Sequence, residues 1–346
     1  MIANQLWFRQ PYQLEIRQQL LPPLTAGQVL VKTICSAISA GTEMLVYRGQ
    51  LPADIAVDAT LASLQQQATY PLPYGYACVG RVEQVADAAD QAWLGQLVFS
   101  FQPHASHFIA SPQQLLRLPA DIEPEAAVFL ANMETAVNLV LDGQPAIGER
   151  VLVLGQGIVG LLVSSLLVQF PLAALYAVDG IAQRRNWAMQ LGVSQVVDAG
   201  SETEMAQLQR QLQLPIDLAL TTNAGADLIF EVSGSPQALN SAIDLCSYSG
   251  RIVLGSWYGN KIATINLGGA AHRNRLKFIS SQVSSIAPEI TGRWDKARRF
   301  DTAWQMLRTV RPQQLISHRL PLEQAATIYQ QLDTAPDSVM QAVFCY

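Results

Sequence analysis

The chain has 346 residues, of which 50% are hydrophobic and only 14% are charged, and its formal net charge is −5. This length exceeds what one ordinary hydrophobic core accommodates, so two compact domains are expected, and the composition excludes a chain with a disordered tail. No basic cluster with interleaved aromatic residues occurs, which argues against a nucleic-acid partner.

The first 120 residues carry short strand patterns bounded by turn residues. The predicted strands lie in VLVKTICSAIS, GYACVGRVEQV, QLVFSF and HFIAS. The opening segment, MIANQLWFRQ, lacks the apolar core of a signal peptide. The four cysteines are scattered and form no CxxC pair, which predicts reduced thiols in a cytoplasmic protein rather than disulfides or a structural zinc site.

Beyond residue 120 the pattern becomes an alternation of helices and strands. Residues 124–141 have helical spacing. The apolar strand segments that follow are, in order, ERVLVLG, AALYAVD, QVVDA, DLIFEVSG and GRIVLGSWYG. Such alternation predicts a parallel, doubly wound α/β sheet. From about residue 276 the pattern is mixed again, with a predicted strand in KFISSQVSSI, an amphipathic helix in ARRFDTAWQMLRTV and a closing strand in QAVFCY. The first and last parts are therefore expected to form one discontinuous domain.

The segment VLVLGQGIVG at 151–160 indicates a phosphate-binding turn. Gly155 permits the tight turn out of a buried strand, Gly157 lets a pyrophosphate approach the backbone, and Gly160 lets the helix pack closely on the sheet. The N-terminus of that helix offers N–H groups and a partial positive charge to the phosphates. Because Gly155, Gly157, Gln169 and Pro171 interrupt the apolar run at 151–178, it is not expected to enter a membrane.

Asp179 follows the next strand, nineteen residues after Gly160, at the usual distance for an acid that accepts hydrogen bonds from the adenosine ribose. Its charge would repel a 2′-phosphate, so NAD(H) is favoured over NADP(H) as the cofactor. Arg184 and Arg185 leave an alternative open, because either one could stack on adenine or reach a 2′-phosphate.

Taken together, the order of these parts resembles the medium-chain dehydrogenase/reductase superfamily, the alcohol dehydrogenase-like enzymes. The matching stretches are AGTEMLVYRG, PYGYACVGRV, the glycine-rich turn and FEVSGSPQALNSAIDLCSYSGRIVLGS. The resemblance implies a GroES-like, β-rich catalytic domain at 1–124, a Rossmann domain at 125–275 and a C-terminal return to the catalytic domain at 276–346. It also implies a homodimer in which Rossmann sheets pair edge to edge, with RIVLGSWYG near that edge.

Within the superfamily, SAISAGTE, YGYACVG, NMETAVN and GRWDKARRF resemble a zinc-less subgroup. That subgroup includes the dehydrogenase that acts on hydroxyethyl side chains in bacteriochlorophyll synthesis, together with unassigned relatives. Zinc-dependent members carry ligands where this chain has Ala40, Tyr76 and Ala131. Because zinc requires thiolate, imidazole or carboxylate ligands, the sequence predicts no catalytic zinc.

The resemblance implies which residues carry the chemistry in place of the metal. Thr42 matches the hydroxyl that relays the alcohol proton, although it could equally cap a turn. Tyr76 stands at the position of a zinc ligand, where its phenol would act as a general acid or merely fill space. Glu43 matches the acid that orients a zinc ligand and is expected to bond Tyr76 or the backbone. His104 is a candidate for lining the substrate pocket.

Two further candidates lie in the helix that leads into the Rossmann domain. Thr135 matches a threonine that lies against the nicotinamide. Glu134 is an acid in an apolar helix, where burial would raise its pKa and make it a proton donor, unless it belongs to a charge pair. The expected cofactor-binding set is Gly155, Gly157, Ile158, Val159, Gly160, Asp179, Arg184, Thr135 and Ser233.

These features predict an NAD(H)-dependent, zinc-independent oxidoreductase that interconverts an alcohol and a carbonyl in the cleft between its domains. Two alternatives stay open, a quinone or enoyl reductase acting on C=C bonds and a non-catalytic dinucleotide-binding protein. A small-molecule alcohol or carbonyl is the expected partner. The Ala/Gln-rich insertion at 50–72 carries no motif that identifies the substrate.

Overall fold

A computed structural model describes residues 1–52, 69–213 and 224–346, so most of the Ala/Gln-rich insertion lies outside the described residues. The chain divides into two compact units. The first comprises Met1–Ala131 and Leu307–Tyr346, and the second comprises Asn132–Met306. The first boundary, at residue 131, is close to the one predicted at 124, whereas the second, at residue 306, lies 31 residues beyond the one predicted at 275. The residues between them belong to the second unit because Lys277–Ser280 pairs with a strand of that unit, Cys246–Leu254. None of the helices in the described ranges is both long and apolar enough to cross a membrane.

The first unit is built on strands. They are β1 (Ile2–Gln10), β2 (Gln13–Leu20), β3 (Val29–Ala37), β4 (Leu72–Pro73), β5 (Cys78–Val85), β6 (Leu97–Ser100), β7 (His107–Ala110), β8 (Leu116–Arg117), β15 (Ile316–Pro321) and β16 (Gln341–Cys345). One sheet has the order β2-β1-β4 and the other has the order β15-β16-β3-β5-β6-β8, with β7 also paired to β3. Its helices are α1 (Ala40–Tyr47), α2 (Pro124–Ala127) and α9 (Ala325–Thr334).

The chain's C-terminal segment completes this first unit. Strand β16 pairs antiparallel with β3, with Phe344 opposite Ser36 and Cys345 opposite Cys35. Helix α9 contributes Ile328 and Tyr329 to a core cluster that also contains Phe8. Residues 307–346 therefore join the β-rich part of the chain through strand pairing and a shared core.

The second unit is a parallel sheet with helices. Its strands are β9 (Arg150–Leu154), β10 (Ala174–Asp179), β11 (Gln195–Asp198), β12 (Ala226–Glu231), β13 (Cys246–Leu254) and β14 (Lys277–Ser280), in the order β11-β10-β9-β12-β13-β14. Its helices are α3 (Leu130–Gly143), α4 (Ile158–Leu167), α5 (Ala182–Gln190), α6 (Glu202–Gln213), α7 (Ala238–Leu245) and α8 (Lys296–Val310). All five residues of β9 are buried, as expected for a central strand covered on both faces.

The carboxyl ends of these strands align in one row. Glu231 is opposite Leu154 on one side and Leu254 on the other, and Leu254 is opposite Ser280. On the far side of β9, Val178 is opposite Leu154, so Asp179 extends one residue beyond the row. This edge of the sheet is where open α/β folds bind their ligands, because the connecting loops diverge there.

The predicted fold class, a β-rich GroES-like domain together with a Rossmann domain that contains a parallel sheet, agrees with these two units. The segment KFISSQVSSI forms a strand only over Lys277–Ser280, and that strand is the outermost in the described part of the parallel sheet. The remainder of the segment leaves the sheet at its carboxyl end.

Candidate functional site

The glycine-rich turn between β9 and α4 has two positions that only glycine can occupy. Gly155 has φ +95°, and a Cβ there would lie 2.5 Å from the Cα of Ser233. A Cβ on Gly160 would lie 1.9 Å from the carbonyl oxygen of Gly155. The strand, the turn and the helix are thus pressed together, which is the close packing that the sequence pattern predicts.

Gly157 differs from these two glycines because the space beside it is open. No heavy atom lies within 4 Å of the position where its Cβ would be. Gly157 caps the N-terminus of α4, which continues through Ile158, Val159 and Gly160. The first N–H groups of a helix have no partner within the helix and attract anions. The turn therefore has room and hydrogen-bond donors for a pyrophosphate, so it fits a dinucleotide.

Asp179 ends β10 beside this turn and is 7% exposed. One carboxylate oxygen accepts the N–H of Gln156 at 2.6 Å, and the other accepts the N–H of Ile181 at 2.8 Å. Asp179 consequently braces the glycine-rich turn in addition to its predicted place beside a ribose. Arg184 Nη1 is 3.9 Å from the same carboxylate, whereas Arg185 pairs with Asp198 at 2.8 Å.

A second cluster lies past the carboxyl end of β12. Glu231 is fully buried and accepts hydrogen bonds from the backbone N–H and the hydroxyl of Ser233 and from the phenol of Tyr258. Burial raises the pKa of Tyr258, and the charge of Glu231 raises it further, so the phenol keeps its proton. These bonds fix Ser233 against Gly155. Sequence reasoning named Ser233 but missed Glu231 and Tyr258, although both lie in the FEVSGS and GSWYG segments.

In the first unit, three hydroxyl groups meet at the start of α1. The Tyr76 hydroxyl donates to Ser39 Oγ and lies 3.2 Å from Thr42 Oγ1. Ser39 is the residue before α1, and its carbonyl accepts the N–H groups of Thr42 and Glu43. Thr42 and Tyr76, named as separate candidates from the resemblance, are thus brought together. Ser39 was missed, and its presence two residues before Gly41 in SAISAGTE was the available signal.

Beneath the hydroxyl cluster lies a buried acid. Glu43 is 0% exposed, and one of its oxygens accepts the N–H of Ser39 at 2.7 Å. The other oxygen lies 3.0 Å from His104 Nε2 and accepts the hydroxyl of Tyr329. Glu43 therefore bonds the backbone, which is one of the two expected arrangements, and holds the turn that presents Ser39.

His104 is enclosed in the same network. The side chain is 0% exposed, and its Nδ1 lies 2.7 Å from the hydroxyl of Ser36. Its ring packs edge-on against Phe344. Because both ring nitrogens have partners inside the first unit, this geometry favours a supporting role for His104 over its predicted place in a substrate pocket.

Glu134 in α3 forms an ion pair rather than standing alone. Its carboxylate oxygen is 2.7 Å from Nη2 of Arg299, and the Arg299 side chain is 0% exposed. Burial raises the pKa of Glu134, and the guanidinium lowers it part of the way back. The charge-pair alternative is the arrangement that the structure shows. Thr135, the next residue, is half-buried.

The residues at the positions of the metal ligands do not fit a catalytic zinc. Ala40 and Ala131 have no ligating atoms, and the Tyr76 phenol is hydrogen-bonded to Ser39. Over the described ranges, no group of three or more His, Cys, Asp or Glu residues could hold a metal ion.

Comparison with known sequences places the chain among dehydrogenases. Residues 159–300 match the family of zinc-binding dehydrogenases. That segment does not include positions 40, 76 and 131. D-guloside 3-dehydrogenase of Escherichia coli (strain K12) is 26% identical over 306 residues, covering 82% of each chain. L-threonine 3-dehydrogenase of Bacillus subtilis (strain 168) is 24% identical over 340 residues, covering 88% of this chain and 87% of the relative.

Solved structures share the fold. A short chain alcohol dehydrogenase from Escherichia coli CFT073, complexed with the cofactor NADH, superposes with a TM-score of 0.78 at 18% identity. The match covers 100% of this chain and 99% of that one.

Proposed function

The chain belongs to the medium-chain dehydrogenase/reductase superfamily, and we propose that it interconverts an alcohol and a carbonyl by hydride transfer with NAD(H) and without a catalytic zinc. The observation that carries the proposal is the open space at Gly157 beside the N-terminus of α4, in a turn that is otherwise closed to any side chain. An alcohol dehydrogenase-like activity requires a dinucleotide there, and the residues present fit one.

The proposed cofactor is NAD(H) because of the charge on Asp179. The carboxylate lies at the end of β10, and its two backbone hydrogen bonds hold it as an acceptor next to the turn. A 2′-phosphate near it would meet a negative charge. Arg184 Nη1 is 3.9 Å away, a long distance for an ion pair, so it reduces that repulsion without cancelling it.

The bound nicotinamide would supply or accept the hydride. The protein must then stabilise charge on the substrate oxygen and exchange a proton with it. Tyr76 and Thr42 offer hydroxyl groups for this purpose, and Ser39 holds the Tyr76 phenol in place. In the reduction direction, the Tyr76 hydroxyl donates its proton to the oxygen that gains the negative charge, and the resulting phenolate takes a proton from solvent. In the oxidation direction, the deprotonated Tyr76 oxygen accepts the proton of the substrate hydroxyl and passes it to solvent.

A homodimer is proposed by family analogy. The edge strand that would pair is β14, whose Phe278 is 40% exposed, and β13 with the RIVLGSWYG segment lies next to it. A cytoplasmic location is likewise a proposal from the unpaired cysteines, since Cys35, Cys78 and Cys246 are buried free thiols and Cys345 is an exposed one.

The test is a parallel calorimetric titration of the purified protein with NADH and NADPH, followed by turnover on a panel of alcohols and carbonyls. Sugar glycosides and L-threonine belong on the panel because the named relatives act on such substrates. Preferential NADH binding with alcohol formation, in protein free of zinc, is the expected result.

Other outcomes of this test would each contradict part of the proposal. If the purified protein holds one equivalent of zinc per chain and loses its activity when that zinc is removed, zinc independence is overturned. A saturated ketone as the product would instead indicate a C=C reductase. NADH binding without any turnover would indicate a non-catalytic dinucleotide-binding protein.

A further inference from the structure

Arg299 is a fully buried guanidinium whose donors are all directed at other groups of the second unit. Nε and Nη2 donate to Glu134 Oε1 at 3.1 and 2.7 Å. Nη1 donates to Asn138 Oδ1 at 2.5 Å and to the carbonyl of Ser285 at 3.0 Å. Nη2 also donates to the carbonyl of Val283 at 2.5 Å. Arg299 therefore connects α8 with α3 and with the segment 281–285.

Helix α3 presents a polar row to the same segment. Glu134, Asn138 and Asp142 follow one another at four-residue spacing, which places them on one face of the helix. The Asn138 amide donates to Asp142 at 2.9 Å and to the hydroxyl of Ser281 at 3.0 Å. Asn138 of α3 and Arg299 of α8 thus bond the segment 281–285 at Ser281, Val283 and Ser285. Glu134 in turn holds Arg299.

The segment 281–285 lies at the carboxyl end of the parallel sheet, where the cofactor is proposed to bind. Residues 281–285 follow the carboxyl end of β14, and the N–H of Ser281 donates to the carbonyl of Leu254, the last residue of β13. The glycine-rich turn lies at the end of β9, and Asp179 lies on the β10 side of it. A dinucleotide with its pyrophosphate at the turn and its adenosine toward β10 must extend its other half toward β12, β13 and β14.

A buried ion pair is a poor way to stabilise a fold, since hydrophobic residues of similar volume often do as well or better. Its hydrogen bonds do, however, fix the direction of the groups that it contacts. Here they fix two backbone carbonyls of a segment whose residues are half-exposed to exposed. A surface that is held in its binding conformation loses less freedom when a ligand binds.

We infer that Arg299, paired with Glu134, is a positioning residue that holds the segment 281–285 in the conformation that receives the nicotinamide half of the cofactor. Arg299 acts from beneath the segment and does not contact the cofactor. This inference rests on the proposed function, because it requires a dinucleotide at the glycine-rich turn. It predicts an effect on the nicotinamide half of the ligand that is absent for the adenosine half.

The experiment compares NADH with ADP-ribose, which contains everything in NADH except the nicotinamide. Arg299→Lys keeps the charge but loses the fork that reaches Val283, Ser285 and Asn138 together. We expect the dissociation constant for NADH to rise roughly tenfold, the scale of one charge-assisted hydrogen bond, while that for ADP-ribose stays within about twofold. Glu134→Gln and Ser281→Ala are expected to give the same selective weakening to a smaller degree.

The matched control is Arg251→Lys. Arg251 also donates to a carboxylate, Glu149 at 2.7 Å, and to a backbone carbonyl, that of Gly143 at 3.0 Å. These partners lie at the C-terminal end of α3 and just before the start of β9. They are therefore at the amino-terminal ends of the strands, away from the glycine-rich turn. The control is expected to alter neither dissociation constant.

Each result decides the inference. Unchanged NADH binding in the folded Arg299→Lys protein, or equal weakening of NADH and ADP-ribose, would overturn it. If Arg299→Lys does not fold, Ser281→Ala decides, because it removes only a partly exposed hydroxyl. A wild-type protein that binds neither ligand would instead contradict the proposed function, which separates the two failures.

Discussion

The glycine-rich turn and the hydroxyl cluster are both candidate parts of one reaction, but they are built differently. The turn is made of backbone, and its shape depends on the absence of side chains at Gly155 and Gly160. The cluster is made of the side chains of Ser39, Thr42 and Tyr76, and Glu43 holds the backbone of Ser39. A backbone site is encoded in one short segment, whereas a side-chain site depends on contacts between segments far apart in sequence.

The largest difference is expected between two alanine substitutions in the turn. Gly160→Ala should lower the free energy of unfolding by at least about 3 kcal/mol, because its Cβ would lie 1.9 Å from the Gly155 oxygen and the core would be overpacked. Gly157→Ala should change it by less than about 1 kcal/mol, since the site is open and lies at a helix cap. Urea denaturation measures both values.

The same pair separates folding from binding. Gly157→Ala should keep its fold yet bind NADH far more weakly, because the methyl group occupies the space meant for the pyrophosphate. Normal NADH affinity in this variant would mean that the turn does not hold the dinucleotide.

The support of the hydroxyl cluster is expected to be nearly as sensitive as the turn. Glu43→Ala leaves His104, Tyr329 and the Ser39 N–H without their buried acceptor and should cost about 3–5 kcal/mol. Glu43→Gln, which keeps one acceptor, should cost about 1–3 kcal/mol. The control is Glu83→Ala, whose partner Lys32 is half-exposed, and it should change stability by no more than about 0.5 kcal/mol. Equal effects of Glu43→Ala and Glu83→Ala would contradict the support role.

Removing one hydroxyl should affect catalysis rather than folding. Tyr76→Phe is expected to lower kcat by about 10²–10⁴, the range for loss of a general acid, with a loss of stability near 1 kcal/mol. Ser39→Ala should give a smaller loss, because Ser39 only holds the phenol. Steady-state kinetics on the substrate found by the panel measure this, and Tyr12→Phe, at an exposed tyrosine, serves as control. An unchanged kcat for Tyr76→Phe would return this residue to the role of filling space.

Cofactor preference should depend on Asp179. Asp179→Asn keeps an acceptor for the N–H of Gln156 or Ile181 but removes the charge. The ratio of the NADPH to the NADH dissociation constant should therefore fall roughly tenfold, which corresponds to about 1.4 kcal/mol. Arg184→Ala should shift the ratio in the opposite direction. A ratio that does not respond to either substitution would place the adenosine elsewhere.

The smallest effect is expected from a surface pair outside both sites. A hydrogen bond from Arg319 lowers the pKa of Glu125 below its usual value. Because the folded protein then binds the proton less tightly than the unfolded chain, the pair's stabilisation is present above the unfolded pKa of about 4.5 and disappears as the pH falls through the folded value.

Glu125→Gln should accordingly lower stability at pH 7 by no more than about 0.5 kcal/mol, since both groups are well exposed and screened. At a pH below the folded pKa of Glu125, the variant and the wild type should unfold at the same temperature. Thermal unfolding at the two pH values checks this, and an undiminished difference in acid would mean that the pair is not the cause.

The predictability of each region follows from how local its interactions are. The strands β9 to β13 were predicted from short apolar runs, because burial on both faces of a parallel sheet leaves that pattern in the sequence itself. The outer strand β14 was recognised, but not its place in the parallel sheet, because an edge strand with mixed burial does not show which sheet it joins.

Glu134 shows the same limit for a single residue. An acid in an apolar helix allowed either a proton donor or a charge pair, and only the position of Arg299, 165 residues away, decided between them. For His104, the sequence likewise did not show the partners of the two ring nitrogens, Ser36 and Glu43. Those partners favour a supporting role over a place in a substrate pocket.

The sequence by itself determined the glycine-rich turn, the acid after the second strand of the parallel sheet and the order of the two kinds of domain, because these follow from local backbone geometry and the periodicity of burial. The tertiary structure decided which side chains act together. Glu43 meets His104 across 61 residues and Tyr329 across 286. Partners so distant are joined only by the packing of the whole unit, and no spacing within a segment encodes them.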